Sequence, residues 1–120
     1  MIENEYKFTV ENINRTVKDF QVCHQERAGN HYWYLKELQV PSEWIMKLNP
    51  ITNDFEICRE ITIWFEKLST DNSYTPRSCR TIPKTVIKLR KQYEMRLKEL
   101  KEQKIRDKLT IMAGDFEECD

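Results

Sequence analysis

The stretch that decides the fold is residues 83–113, PKTVIKLRKQYEMRLKELKEQKIRDKLTIMA. The proline that opens it suits the first turn of a helix, where a backbone N–H has no partner. Gly114, just beyond it, is a residue on which helices commonly end. The pattern predicts one helix over 83–113, roughly 46 Å long. Since a compact domain of about 100 residues has a radius of gyration of about 13 Å, this helix either spans the body or projects from it.

Two sets of apolar residues lie along this helix. The first recurs at spacings of three and four residues and is expected to pack on the domain: Val86, Leu89, Tyr93, Leu97 and Leu100. It breaks at Lys104, and a second set is rotated by roughly 120°: Ile105, Leu109 and Met112. Two arrangements stay open. Either the helix leaves the core and the second set faces a partner or a second copy of the chain, or a bend lets both sets pack on one domain.

Charge is divided unevenly along a chain whose net charge is zero. Residues 1–76 carry 8 Lys/Arg and 12 Asp/Glu, whereas residues 77–108 carry 12 and 4. The tail, residues 114–120, is acidic. A basic helix between an acidic domain and an acidic tail indicates an anionic partner, or an acidic surface that masks the helix.

Seven cations are predicted to contact a polyanion, because lysines at these spacings share one helix face and each can neutralise a phosphate. They are Arg77, Arg80, Lys84, Lys88, Lys91, Lys98 and Arg106. The alternative is a solvated face whose positive charge is partly neutralised by the i,i+4 pairs Glu94–Lys98 and Glu102–Arg106.

The N-terminal part predicts a small antiparallel sheet. Alternating residues indicate strands over 6–10, 20–24 and 31–35, and Gly29 supplies a turn between the last two. A four-residue turn pairs Phe20 with Leu35, Val22 with Trp33 and His24 with His31.

Helical spacing then predicts helices over 41–48 and 54–68. The second has an apolar face centred on Trp64 and Phe65, which are expected in the core. Residues 69–82 are predicted to be a mobile linker. The fold class is therefore α+β: about three strands packed by two helices within residues 1–82, followed by the long basic helix.

Three smaller groups have two interpretations each. Tyr32 and Tyr34 lie on one strand face, where they either stack on bases or pack under a helix. A cross-strand pair of histidines suits a metal, but strand alternation points Cys23 to the other face, so no metal site is predicted. The cations around Cys79 favour a thiolate, but no histidine lies beside it in the sequence.

Whole classes of chemistry are excluded by composition. With only two glycines, the chain has no phosphate-binding loop, dinucleotide fingerprint or nucleophile elbow, so we expect no enzyme activity and no cofactor. No stretch is apolar enough to cross a bilayer, and no signal peptide or CxxC pair is present, so a cytoplasmic location with reduced thiols is expected.

These observations predict a small accessory or regulatory protein that binds nucleic acid, or a complex that handles it, through the basic helix. The alternative is a regulator or inhibitor that binds only protein, for example RNA polymerase or a nuclease of a bacterial host if the gene is phage-encoded. The distal helix is also a candidate homodimer contact.

Overall fold

The computed structural model describes residues 7–118, and side chains for residues 7–107. It confirms the α+β class, with a five-stranded antiparallel sheet in the order β1-β2-β3-β4-β5 in place of the expected three strands. The elements are α1 (Val10–Val17), β1 (Val22–Arg27), β2 (Asn30–Leu35), β3 (Met46–Asn49), β4 (Asp54–Trp64), β5 (Lys67–Tyr74), a 3₁₀ turn (Cys79–Thr81) and α2 (Ile82–Glu118).

The strand expected over 6–10 is not formed in its described part: residues 7–9 have no regular secondary structure, and helix α1 begins at Val10. Thr9 is its N-cap, and the Thr9 hydroxyl accepts a hydrogen bond of 3.1 Å from the backbone N–H of Asn12. Ile13 and Val17, four residues apart, are buried in the hydrophobic core, and α1 packs mainly on the long C-terminal helix and the 3₁₀ turn. The cap and this spacing favour a helix over the short alternation that indicated a strand.

The β1–β2 hairpin is present, but its register differs by two residues from the prediction. Val22 pairs with Leu35, and His24 pairs with Trp33. The cause is the turn, which has two residues instead of four: Ala28 and Gly29 both have positive φ, at 52° and 82°. This conformation matches the twist of the flanking strands.

Both predicted central helices are wrong. Residues 41–48 form a turn and the start of β3, and residues 54–64 form the 11-residue strand β4. Phe55, Ile57 and Ile61 of β4 alternate into the core, so the helical spacing of its apolar residues was coincidental. Trp64 and Phe65, expected in the core, are 66% and 81% exposed at the tip of the β4–β5 hairpin.

The predicted linker is also largely ordered. Residues 67–74 form β5, which pairs along β4 from Lys67 opposite Trp64 to Tyr74 opposite Ile57. β5 is an edge strand, and its side chains are mostly polar. With so few apolar residues, its sequence shows no alternation from which a strand could be predicted. The 3₁₀ turn then leads directly into α2.

Helix α2 lies across the face of the sheet that carries the core, mainly over β4. Ile82, Val86 and Leu89 are fully buried and Leu100 is 7% exposed, whereas residues 101–107 are all exposed. The helix includes Gly114 and ends at Glu118, so its predicted end at residue 113 is wrong. A single glycine weakens a helix by about 1 kcal/mol but does not by itself end it.

Candidate nucleic-acid interface

Four lysines define the surface of α2 that points away from the sheet: Lys84, Lys88, Lys91 and Lys98. We call this surface the lysine face. All four side chains are exposed, and within the described part of the chain none forms an ion pair. The pair expected between Glu94 and Lys98 is not formed. The lysine face therefore keeps its full positive charge toward solvent.

Two arginines of the same helix are instead used to hold it in place. Arg90 forms an ion pair of 2.9 Å with Glu37 and donates a hydrogen bond to the side chain of Gln21. Arg96 donates to the backbone carbonyl of Ile61 at 3.1 Å and pairs with Glu99. Along the part of α2 that packs on the sheet, Arg90 and Arg96 thus contact the domain, whereas the four lysines face solvent.

Apolar side chains interrupt the lysine face. Ile87 and Met95 are both exposed, and they line a shallow hollow of about 370 Å³ together with three of the lysines and Gln92. A surface that mixes ammonium groups with aliphatic side chains can contact both phosphates and the apolar parts of a partner.

The cations ahead of the helix extend this positive surface around its N-terminus. Arg77 and Arg80 are exposed, and Ser78 between them caps the 3₁₀ turn by accepting from the backbone N–H of Arg80. The first turn of α2 contains no acid, so the positive end of the helix dipole adds to these charges. Arg106, on the distal part of α2, is also exposed.

The structure adds one cation that the sequence did not indicate, Arg59 of β4. Its guanidinium lies 4.2 Å from the centre of the Tyr74 ring. Arg59 lines a cleft of about 290 Å³ between the sheet and α2, together with Tyr74, Thr85 and Lys88. Because residues 54–68 were predicted to be a helix, Arg59 was not predicted to join the basic surface. The alternation of a strand places it on the same face as Ile57 and Ile61.

The two tyrosines proposed for stacking lie in different environments. Tyr34 is 0% exposed, its hydroxyl accepts a hydrogen bond from Arg27, and burial raises its pKa. Its ring has no open side for a base. Tyr32 is half-buried, with the Arg27 guanidinium 4.5 Å from its ring centre. The two tyrosines lie on the sheet face opposite the core, where the Tyr34 hydroxyl contacts Arg27 and the carbonyl of Pro41, so they do not pack under a helix as the second interpretation expected.

His24 and His31 are adjacent, although they are not direct strand partners. Nε2 of His24 lies 2.8 Å from Nδ1 of His31, and the His24 ring stacks on Trp33 at 4.8 Å. Burial against this ring, and then the charge of His31, lower the pKa of His24, while Glu26 opposes the shift. In the described residues no group of three or more His, Cys, Asp or Glu side chains could hold a metal ion.

The two buried cysteines are not activated. Burial raises the pKa of Cys58 to about 12, and its Sγ donates to the carbonyl of Trp44. Burial also raises the pKa of Cys79, which is opposite to the lowering that its flanking cations suggested. Arg77 and Arg80 flank Cys79 in sequence but their side chains are exposed, whereas its thiol is buried against the carbonyl of Lys7.

The distal set of apolar residues is described only at its first member. Ile105 is 59% exposed, whereas the side chains of Leu109 and Met112 lie outside the described residues. Through residue 107, no bend brings the distal part of the helix back onto the domain, because every side chain from 101 to 107 is exposed.

No family model matches the chain, and no similar curated protein or solved structure was found. Among the described residues, no helix is long and apolar enough to pass through a bilayer.

Proposed function

We propose that this protein is a non-enzymatic accessory or regulatory protein of the cytoplasm that binds nucleic acid, or a complex that handles it, through the lysine face of α2. The observation that carries the proposal is the division of cations on α2. Arg90 and Arg96 are bound to the domain, whereas the four lysines are exposed and form no ion pair with any described side chain.

Exposed lysines on a rigid helix suit phosphate contacts. The four lysines follow the axis of α2 from Lys84 to Lys98, over about 21 Å at 1.5 Å per residue. A nucleic acid lying along this face could contact several lysines at once, and each neutralised phosphate releases counterions. Such contacts position a nucleic acid without reading its sequence.

Fluorescence anisotropy with labelled single-stranded and duplex oligonucleotides tests this proposal. We expect binding at low salt that weakens steeply between about 50 mM and 200 mM salt. The variant K84Q/K88Q/K91Q should lower the slope of log K against log salt by about two to three units. A matched control, K18Q/K36Q/K47Q, removes the same charge from lysines outside α2.

Absence of binding by the unchanged protein at low salt would refute direct nucleic-acid binding. Equal losses in the two triple variants would show that net charge, rather than the lysine face, controls the affinity.

A second candidate function is a regulator that acts through protein contacts alone, such as an inhibitor of RNA polymerase or of a nuclease. Trp64 and Phe65 favour it, because two large aromatic side chains exposed at one hairpin tip are unusual outside a contact surface. Ile105 on the projecting helix also favours it. Of the three distal residues proposed to contact a partner or a second copy of the chain, Ile105 is the one whose side chain lies within the described residues.

Pull-down from a bacterial lysate separates these surfaces. The full chain is compared with a chain truncated after Leu100 and with the variant W64S/F65S. Loss of a partner only in W64S/F65S assigns the contact to the hairpin tip, and loss only on truncation assigns it to the distal helix. Light scattering of the full and truncated chains tests the homodimer.

A further inference from the structure

We infer that the cleft between β4, β5 and the start of α2 is a binding site for one phosphate group of the nucleic-acid backbone. We call it the anion cleft; it is lined by Arg59, Tyr74, Thr85 and Lys88. The inference rests on the proposed function, because Lys88 belongs both to this cleft and to the lysine face.

Two cations from different elements line the anion cleft. Arg59 of β4 offers a planar guanidinium, and Lys88 of α2 offers an ammonium group. The hydroxyls of Tyr74 and Thr85 are hydrogen-bonded to each other, with their oxygens 3.3 Å apart, and the Thr85 hydroxyl also donates to the carbonyl of Thr81. A guanidinium beside an ammonium group matches the oxygens of a phosphate.

No acid lines this cleft, and Arg59 forms no ion pair within the described part of the chain. The neighbouring acids of β4 are bound elsewhere. Glu60 accepts a hydrogen bond from the side chain of Asn72, and Glu56 accepts one from Ser73. The charge of Arg59 is therefore available to an anion from outside the protein.

The position of Arg59 is fixed before any ligand binds. Its guanidinium stacks on the Tyr74 ring at 4.2 Å, and that ring packs against the hydrophobic core. Stacking reduces the conformational entropy that a long side chain loses on binding. A surface lysine lacks this support, so Arg59 is expected to be the strongest single phosphate contact.

The cleft also continues into the hollow on the lysine face, because Lys88 lines both. One nucleic-acid strand could therefore place a phosphate in the anion cleft and its neighbouring phosphates near Lys84 on one side and Lys91 on the other, because Lys88 lies between these two lysines along α2.

Oligonucleotide affinity of Arg59→Gln, with Arg15→Gln as the matched control, tests the inference. Arg15 is an exposed arginine of α1, so both variants lose the same charge. We expect R59Q to bind about fivefold to tenfold more weakly at low salt and to lower the salt slope by about one unit. R15Q should stay within about twofold of the unchanged protein.

Two further variants separate geometry from charge and guard against misfolding. R59K keeps the charge but not the planar group, and it should bind about twofold to fivefold more weakly with unchanged thermal unfolding. Y74F keeps the ring that stacks on Arg59 and removes only the hydroxyl that is bonded to Thr85, so it should keep the affinity of the unchanged protein.

Each alternative outcome has a separate meaning. Equal affinity of R59Q and R15Q, while K84Q/K91Q binds weakly, would overturn the anion cleft and leave the proposed function standing. Absence of oligonucleotide binding by the unchanged protein would overturn both. NMR titration of the amide signals around the cleft compares inorganic phosphate with the oligonucleotide. If phosphate alone saturates the shifts at concentrations as low as the oligonucleotide does, the assignment of the cleft to nucleic acid is overturned.

Discussion

The backbone N–H of Ile61 donates a hydrogen bond of 2.8 Å to the side-chain oxygen of Gln92. Four residues along α2, Arg96 donates to the carbonyl of the same residue. A helix side-chain pair thus satisfies both backbone groups of one β4 residue, as a neighbouring strand would. This contact fixes α2 across the sheet and turns the lysine face outward.

The Ile61–Gln92 contact predicts that Gln92→Ala destabilises the protein. The substitution leaves the N–H of a fully buried residue without its partner, so the free energy of unfolding should fall by about 1–2 kcal/mol. Urea denaturation measures this change. Glu94→Ala, on an exposed position of the same helix, should alter it by less than about 0.5 kcal/mol. Equal effects would show that the bond does not anchor α2.

The His24–His31 contact predicts a loss of stability in acid. Because the pKa of His24 is lowered from 6.5 in the folded protein, the unfolded chain takes up its proton at a higher pH. The stability contributed by neutral His24 is therefore full above about pH 6.5 and is lost as the pH falls through its folded pKa. The hydrogen bond between the rings needs one donor and one acceptor, so charging both histidines also breaks it.

Urea midpoints of the unchanged protein and of His24→Gln, measured above pH 7 and near pH 5, check this prediction. The decrease on acidification should be smaller in H24Q. A decrease of the same size in both proteins would assign the acid sensitivity to other groups.

The buried thiols predict an order of chemical modification. Cys58, with a pKa of about 12, and Cys79, whose pKa is also raised by burial, should react slowly with a thiol reagent at pH 8. Cys23 is half-exposed and should react first. The measurement uses a Cys119→Ser background, because Cys119 lies outside the described residues. Fast labelling of Cys79 in the native protein would contradict its burial.

The β4–β5 turn predicts a stabilising substitution. Phe65 and Glu66 both adopt positive φ, at 48° and 63°, a conformation that costs about 1 kcal/mol or more for residues other than glycine and asparagine. The variant F65N/E66G should therefore raise the free energy of unfolding by about 1 kcal/mol. Lower stability of this variant would mean that the exposed ring of Phe65 makes a contact that stabilises the fold.

Local patterns in the sequence predicted some elements well. The β1–β2 hairpin was located by alternation and by Gly29, and the long C-terminal helix by its apolar spacing. The predicted hairpin register was wrong because Ala28 takes a positive φ, a conformation that alanine rarely adopts and that the sequence did not indicate. The predicted turn was two residues too long, so each predicted strand pair was displaced by two residues.

The main error was β4, where two periodicities compete. Cys58, Ile61, Phe65 and Leu68 recur at spacings of three and four residues, as on a helix face. Phe55, Ile57 and Ile61 also fit one face of a strand, and β-branched isoleucines favour the strand. Tertiary pairing decides between them, because β3 and β5 hydrogen-bond to either side of β4. The same error concealed Arg59, so the basic surface was predicted only on its helical side.

Among the residues that the structure describes, the lysine face forms no ion pair, and α2 is docked instead by buried aliphatic residues, Gln92 and the two arginines. Mutations there can consequently accumulate without unfolding the chain, and selection can tune partner affinity on this one surface independently. Descendants of this gene would be expected to retain the docking side of the helix while their outer charges diverge with the molecules they meet.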